Sequence, residues 1–223
     1  MQQYIRALGA TVRLAGHFFC DFFRCVRGTF TISKLEGPVV SIFGGSKLGQ
    51  DHPYAQKARL LAEKLMVHDI SVITGGGQGI MQAASCGAFG AHNNRIAKSI
   101  AVTVKGLDQE KRNNCADESI ETFYFFTRKF LLTRYSHAFA VFPGGYGTLD
   151  ELAEVLTLMQ INKLPRVPLV LFEAAYWKHF SAWVDQAQKE GLLLKEDADL
   201  IFVTDDVEQA FNHLHKHCKH VAS

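Results

Sequence analysis

The residues of this chain best suited to chemistry are one carboxylate, one guanidinium and a cluster of glycines. Glu151 closes the stretch Pro143-Gly144-Gly145-Tyr146-Gly147-Thr148-Leu149-Asp150-Glu151. Its glycines can adopt positive φ and let a ligand approach the backbone closely. The flanking residues supply a frame. Ala138 to Phe142 is a short apolar run, which predicts a buried parallel strand, and Pro143 ends it. From Thr148 the period turns helical, with Leu149, Leu152, Leu156 and Met159 on one stripe and Val155 beside them. Strand, glycine loop and helix N-terminus in that order make an anion site, because the first helical N–H groups lack partners and the helix dipole adds positive charge. The chemistry implied is a phosphate cradled by Gly144 to Thr148 with Glu151 one turn into the helix. A second reading stays open: Thr148-x-x-Glu151 also spells a capping box, which needs no ligand.

Arg128 lies upstream on a helix expected over about 127–136. It falls on one stripe with Leu131, Leu132 and Tyr135, while Lys129 faces with Thr133 and Ser136. An arginine among apolar side chains needs a partner, since an unpaired buried charge is costly. That partner is either a structural carboxylate or Glu151 together with a ligand. Two more glycine turns follow apolar strands. Gly44-Gly45-Ser46-Lys47 comes after Val39–Phe43 and is suited to a phosphate or ribose, but it is no Walker A loop, because Leu48 follows Lys47. Gly75-Gly76-Gly77-Gln78-Gly79 comes after the strand expected at 70–74. It is not the dinucleotide fingerprint, since Ile80 stands where the third glycine belongs. Met81, just beyond, reads as core filling.

The motifs together resemble a known family. PGGYGTLDE fits the pattern P-G-G-x-G-T-x-x-E, Arg128-Lys129 stands as the matching R-K pair, and GGGQGIM resembles the element G-G-G-x-G-[IL]-M. From about Val39 to about Phe211 the chain resembles the Lonely-guy family of cytokinin-activating phosphoribohydrolases, long labelled lysine decarboxylases. The resemblance implies that Arg128 and Glu151 are the catalytic pair. It implies phosphate and ribose contacts from Gly45, Ser46, Lys47, Gly75, Gly76, Gly77, Gly79, Gly144, Gly145, Gly147 and Thr148, with Lys129, Met81 and Glu154 in support. It further implies a nucleoside 5′-monophosphate substrate, cleaved to free base and ribose 5-phosphate, no cofactor or metal, and a homodimer or higher homo-oligomer. Family members tend to carry E-Q-x-x-N after the third strand. This chain has Asp108-Gln109-Glu110 and Asn113-Asn114 there, an imperfect match, so no role is carried onto that loop. The decarboxylase label fits the chemistry poorly, because that reaction usually needs pyridoxal phosphate on a lysine and nothing in the sequence marks one. A non-catalytic nucleotide sensor or carrier on the same fold, and a DNA-processing protein, are the rival readings.

The elements that must position these residues alternate strand and helix. Further strands are expected at 99–104, 120–125, 167–172 and 200–203, and further helices at 53–67 with Asp51 as N-cap, 80–89, 176–189 and from Val207. That order predicts a Rossmann-like, doubly wound, mostly parallel α/β sheet. With 223 residues, 48% apolar and 21% charged, the chain suits one such domain. The division expected is a helical extension over 1–36, the nucleotide-binding domain over 37–212 and a His-rich tail over 213–223. A net charge of +2 argues against a nucleic-acid partner. No apolar run has membrane-spanning length, so no membrane partner is expected. Five scattered cysteines without a C-x-x-C pair read as reduced thiols in a cytoplasmic protein. In the extension, Leu8, Val12, Phe19, Phe22 and Phe23 form an apolar face broken by Arg13, His17, Asp21 and Arg24. Such a helix is expected to pack on the domain or on a partner subunit; its aromatic face fits a membrane surface less well. The tail residues His213, His215, His217, Cys218 and His220 read as solvated and dispensable, rather than as a metal site.

Overall fold

A computed structural model of the chain describes residues 2–91, 96–106 and 113–221. The chain runs α1 (Gln2–Ser33), β1 (Val39–Phe43), α2 (Pro53–Val67), β2 (Ser71–Thr74), α3 (Ile80–Gly90), β3 (Ser99–Val104), β4 (Glu118–Thr122), α4 (Phe125–Arg134), β5 (Ala138–Val141), α5 (Tyr146–Gln160), β6 (Leu169–Phe172), α6 (Ala174–Lys189), α7 (Lys195–Ala198), β7 (Ile201–Thr204) and α8 (Val207–Val221). The strands form one sheet in the order β4-β3-β2-β1-β5-β6-β7, every pair parallel. This is the doubly wound α/β sheet that the alternation of elements requires. Strand order reverses at β1, whose neighbours β2 and β5 are reached by crossovers leaving in opposite directions. A crevice opens beyond the strand ends at such a point.

The two faces of the sheet bury separate cores, as the period of two along a strand dictates. Val40, Ile42 and Val72 pack against Leu61 and Leu65 of α2 and Phe211 and Leu214 of α8. Val39, Phe43 and Ile73 pack on the other side against Leu131 and Leu132 of α4 and Leu152, Val155 and Met159 of α5. Ser41, buried between them, donates or accepts within a hydroxyl pair with Ser136 at 2.7 Å and lies 2.7 Å from the Leu132 carbonyl. Ser136 is therefore buried and lies beyond the end of α4, where the sequence had set it on the Lys129 side of the helix. At the other end of β1, His137 Nδ1 accepts the Val39 N–H at 3.1 Å. Burial, with His217 nearby, holds this imidazole below the ordinary histidine range.

Several expectations are corrected. His52, not Asp51, caps α2: its Nδ1 accepts from the Tyr54 N–H, and Pro53 at the first helical position fixes the cap one residue later. The fourth strand is β4, ending at Thr122, because Phe125 already begins α4. Cys86 and Cys115 are joined as a disulfide, with 4.7 Å between Cα atoms, where reduced thiols were expected. They lie 29 positions apart, a proximity that spacing alone does not reveal. The His-rich segment is not a solvated tail but the second half of α8. Leu214 and Cys218 are fully buried there, on the stripe begun by Ala210 and Phe211, and burial pushes the Cys218 thiol up to about 12. His213 stacks on Phe202, and His215 on Phe211.

The extension is one long helix, but its apolar face points away from the domain, which was one of the two supports expected for it. Val12, Phe19, Phe22 and Phe23 are exposed, and Asp21 is buried instead. The Asp21 carboxylate accepts the Phe123 N–H at 2.5 Å and the Thr127 hydroxyl, which ties α1 to the start of α4. The side chain of Leu8 lies outside the described residues. Among the described residues no helix is long and apolar enough to cross a membrane.

Candidate active site

A cleft of about 600 Å³ opens at the switch point, beyond β1 and β5. Its walls are the turn from Gly44 to Leu48, the turn and first helical residues from Pro143 to Thr148, and Tyr54, Met81, Phe125, Arg128, Glu151 and Tyr176. The two turns are stitched together: the Gly45 N–H donates to the Pro143 carbonyl at 3.0 Å. A side chain at Gly144 would strike Thr148 Oγ1 at 2.1 Å and the Gly45 nitrogen at 2.8 Å, so this contact needs glycine.

The start of α5 decides between the two readings of Glu151. Gly145 is the N-cap, in extended conformation and with no side-chain cap bond. The helix therefore begins at Tyr146, two residues before the expected start, and Thr148 is already inside it. No capping box forms, because glycine backbone freedom lets the helix close early. The first-turn N–H groups, which have no helical acceptors, open on the cleft walls.

Glu151 instead turns to α4. Its Oε1 accepts from Arg128 Nη1 at 2.8 Å, and both residues are buried, at 8% and 9% exposure. Arg128 Nε donates to the Val102 carbonyl at the end of β3, 3.1 Å away. The guanidinium presses on Gly75, where an added Cβ would come within 1.9 Å of Nη2. Burial pushes the Glu151 carboxyl above the ordinary carboxylate range; the charge and hydrogen bond of Arg128 pull it back only in part. One residue along, Lys129 meets Asp150 at 3.0 Å and Glu154 at 2.6 Å on the outer side of the same helix pair.

The structure thus brings Gly45, Ser46, Lys47, Gly144, Gly145, Gly147, Thr148, Met81, Arg128 and Glu151 around one cleft. It does not bring Gly75, Gly76, Gly77, Gly79, Lys129 or Glu154 to the cleft wall. The third glycine turn forms a layer behind it. Gly75 makes room for Arg128. Gly79, at φ 63°, sits so close to Gly45 that a Cβ would meet its carbonyl oxygen at 2.3 Å. The carbonyls of Gly76 and Gly77 accept from the N–H and Nδ2 of Asn113, at 3.1 and 3.0 Å. Asn113 is thereby a stay for the glycine turn, and the Cys86–Cys115 bridge fastens its loop to α3. The Asp108-Gln109-Glu110 element lies outside the described residues.

Sequence reasoning missed Tyr176, whose hydroxyl donates to the Gly144 carbonyl from across the cleft. The signal was positional: Tyr176 follows the end of β6 by four residues, at the same sheet edge as the glycine turns. It reaches over because Glu173 turns the chain in the left-handed region, at φ 76°, and is held by Lys57 at 2.5 Å. Together the cleft offers backbone donors and Lys47 for an anion, aromatic side chains for a planar ring, and a buried carboxylate beside a guanidinium.

Known proteins resemble this chain in sequence and in fold. The sequence model of the family described as "Possible lysine decarboxylase" matches residues 81–214. The chain is 28% identical over 175 residues to the probable cytokinin riboside 5′-monophosphate phosphoribohydrolase LOG6 of Arabidopsis thaliana, covering 77% of this chain and 85% of that protein. It is 30% identical over 166 residues to cytokinin riboside 5′-monophosphate phosphoribohydrolase LOG5 of the same plant, covering 74% and 71%. Among solved structures, the molybdenum cofactor binding protein of Rippkaea orientalis superposes with a TM-score of 0.61 at 18% identity, covering 82% of this chain and 98% of that one, a likeness of fold.

Proposed function

Since the chain belongs to the Lonely-guy family, the one whose sequence model is described as a possible lysine decarboxylase, we propose that it hydrolyses the N-glycosidic bond of a purine nucleoside 5′-monophosphate. The products are the free base and ribose 5-phosphate. The observation that carries this reading is the fate of Glu151: a residue placed to cap a helix is instead buried against Arg128 in the wall of the cleft.

In this reading the 5′-phosphate rests on the N–H groups at the start of α5, with Lys47 opposite. The base lies against the aromatic wall of Tyr54, Phe125 and Tyr176. The bond to the base breaks through a transition state with oxocarbenium character. Glu151, ionised, stabilises the positive charge growing at C1′ and orients the attacking water. Arg128 fixes the carboxylate and reaches the sugar or the departing base. Tyr176 keeps the Gly144 peptide in the orientation the phosphate needs. The family's decarboxylase description asks for different chemistry, and this donor set is suited to glycosyl transfer to water.

The test is release of free base from adenosine monophosphate and from its N6-isopentenyl analogue, with Glu151→Gln protein alongside. Release by the wild type alone supports the reading, and the ratio of the two rates sets the base preference. Nucleotide binding without release would make the protein a carrier. Tight single-strand binding with a steep salt dependence would make it a DNA-processing protein.

A further inference from the structure

We infer that Cys86 and Cys115 form a thiol–disulfide switch that sets how firmly Arg128 is held from behind. Its effect on turnover rests on the reaction proposed above; its effect on the glycine turn does not.

The bridge closes a ring of contacts around the turn from Gly75 to Gly79. On one side, Thr74 Oγ1 accepts the Gly76 N–H at 3.2 Å and pairs with Ser85 Oγ of α3 at 2.9 Å. On the other side, Asn113 donates its N–H to the Gly76 carbonyl and its Nδ2 to the Gly77 carbonyl. The Asn113 amide is oriented in turn by the Cys115 N–H, which donates to its Oδ1 at 3.3 Å. Cys115 is bonded to Cys86, the residue after Ser85. Both arms of the ring therefore start from adjacent residues of α3. The first arm is a pair of fully buried hydroxyls. The second runs through a bond that a reductant breaks.

Arg128 leans on this turn. Its Nη2 presses on Gly75, while Nε and Nη1 bond to the Val102 carbonyl and to Glu151. A turn that loses one arm gives way behind the guanidinium, and Glu151 shifts with its partner. The far half of the turn is held separately. The Ile80 N–H donates to the Gly45 carbonyl at 3.0 Å, and Gln50 Nε2 to the Gly79 carbonyl at 3.1 Å. The switch thus acts on the Arg128–Glu151 pair and spares the turns assigned to the phosphate.

Opening the bridge leaves the fold standing. The buried side chains of Ile80, Ala83, Ala84 and Ala88 keep α3 in the core. Beyond Cys115 the chain is moored again by Asp117, whose N–H donates to the Ser99 carbonyl at 2.9 Å and whose carboxylate accepts the Ser99 N–H at 2.7 Å. Only the stretch that carries Asn113 is released. Both cysteines are half-buried rather than enclosed, so a small dithiol can reach them. Its thiolate attacks one bridge sulfur, the S–S bond breaks and a mixed disulfide forms. The second thiolate of the reductant resolves that intermediate. The dithiol supplies two electrons and ends as a disulfide, and each cysteine takes up one proton.

The test compares the full chain oxidised by glutathione disulfide with the chain reduced by dithiothreitol, the bridge being scored by alkylation and mass. Adenosine monophosphate is the substrate, and hydrogen exchange reports on residues 75–79. Reduction is expected to lower kcat roughly tenfold or more, leave KM unchanged and speed exchange in the turn; reoxidation should restore all three. Cys86→Ser/Cys115→Ser should match the reduced protein under both conditions. Asn113→Ala should also match it, and should lose the response to reductant while its bridge still forms. A bridge that never forms, or a kcat unmoved when it opens, overturns the proposal. So does a response that persists in the double serine variant, which would belong to Cys20, Cys25 or Cys218, or one that persists undiminished in Asn113→Ala. Loss of the circular dichroism signal on reduction would make the bridge a structural staple instead. If neither state releases base, the proposed reaction fails and exchange decides alone: faster exchange on reduction, absent from the double variant, sustains the switch, and unchanged exchange overturns it.

Discussion

Arg128 and Lys129 are neighbours on α4, and both reach carboxylates of α5. Their bonds are of similar length: 2.8 Å to Glu151, and 3.0 and 2.6 Å to Asp150 and Glu154. Their surroundings differ. The Arg128 and Glu151 side chains are each 11% exposed, whereas Asp150 is 63% exposed. Burial pulls the Lys129 ammonium down, and its bonds to Glu154 and Asp150 more than offset this, leaving it above the ordinary lysine value. Glu151 has the opposite balance, with burial prevailing over its partner. The same pairing thus fastens two helices on the outside and keeps a carboxylate poised on the inside. At Glu151 desolvation outweighs the attraction of its partner, so the inner pair is weak evidence for stability and marks a candidate functional site.

The contrast can be broken most sharply at Arg128. Arg128→Ala leaves Glu151 buried without a counter-charge and should destabilise the fold by about 3–5 kcal/mol, measured by urea denaturation. A loss below about 1 kcal/mol would mean that water reaches the pair and screens it. Glu151→Gln keeps the shape and most hydrogen bonding of the side chain, so binding of adenosine monophosphate should persist. Turnover should fall about a hundredfold or more; a variant that retains wild-type turnover would remove Glu151 from the chemistry.

The shifted carboxyl gives a pH signature. The proposed role needs Glu151 ionised, so the acid limb of kcat/KM against pH, which reports the free protein, is expected to have its midpoint above the ordinary glutamate value of about 4.3. The linked stability runs the other way. A carboxyl that binds its proton more tightly when folded stabilises the fold below the unfolded value, and that contribution disappears as pH rises through the folded one. A limb at or below the ordinary value would show that Arg128, not burial, governs the group. The smallest effect is expected outside the cleft. Lys129→Ala should cost no more than about 1 kcal/mol and leave the acid limb in place. A shift of that limb would mean the two pairs are coupled.

Legibility in the sequence followed the physics of each part. The strands were readable because a parallel sheet covered on both faces demands short, continuous apolar runs, and Val39–Phe43 and Ser99–Val104 are such runs. The glycine turns were readable because few other residues fit where backbones touch. The start of α5 was not, since the freedom that marks Gly145 and Gly147 as a turn also lets them enter a helix. Asn113 was hidden because one amide in a polar loop has no periodicity. Asp21 read as a break in an apolar face; it proved to be the fastening of the opposite one, because one helix can serve two surfaces. The stripe Ala210, Phe211, Leu214 and Cys218 stands at helical spacing, but the histidines between them give the segment the composition of a solvated one.

The order of the strands also carries a consequence in time. β1 pairs with β2 through Val39 and Ser71, near neighbours along the chain, but with β5 through Val40 and Ala138. Closing that second, much longer loop costs more chain entropy before any contact rewards it, and such non-local pairings slow folding. The cleft lies at this β1–β5 junction. During synthesis no anion site can exist until the chain beyond Thr148 has emerged, and on refolding the half of the sheet from β1 to β4 has the shorter connections to close. Recovery of the proposed nucleotide binding should therefore trail the recovery of helical signal, and the ligand would serve as a clock for a long-range step of folding.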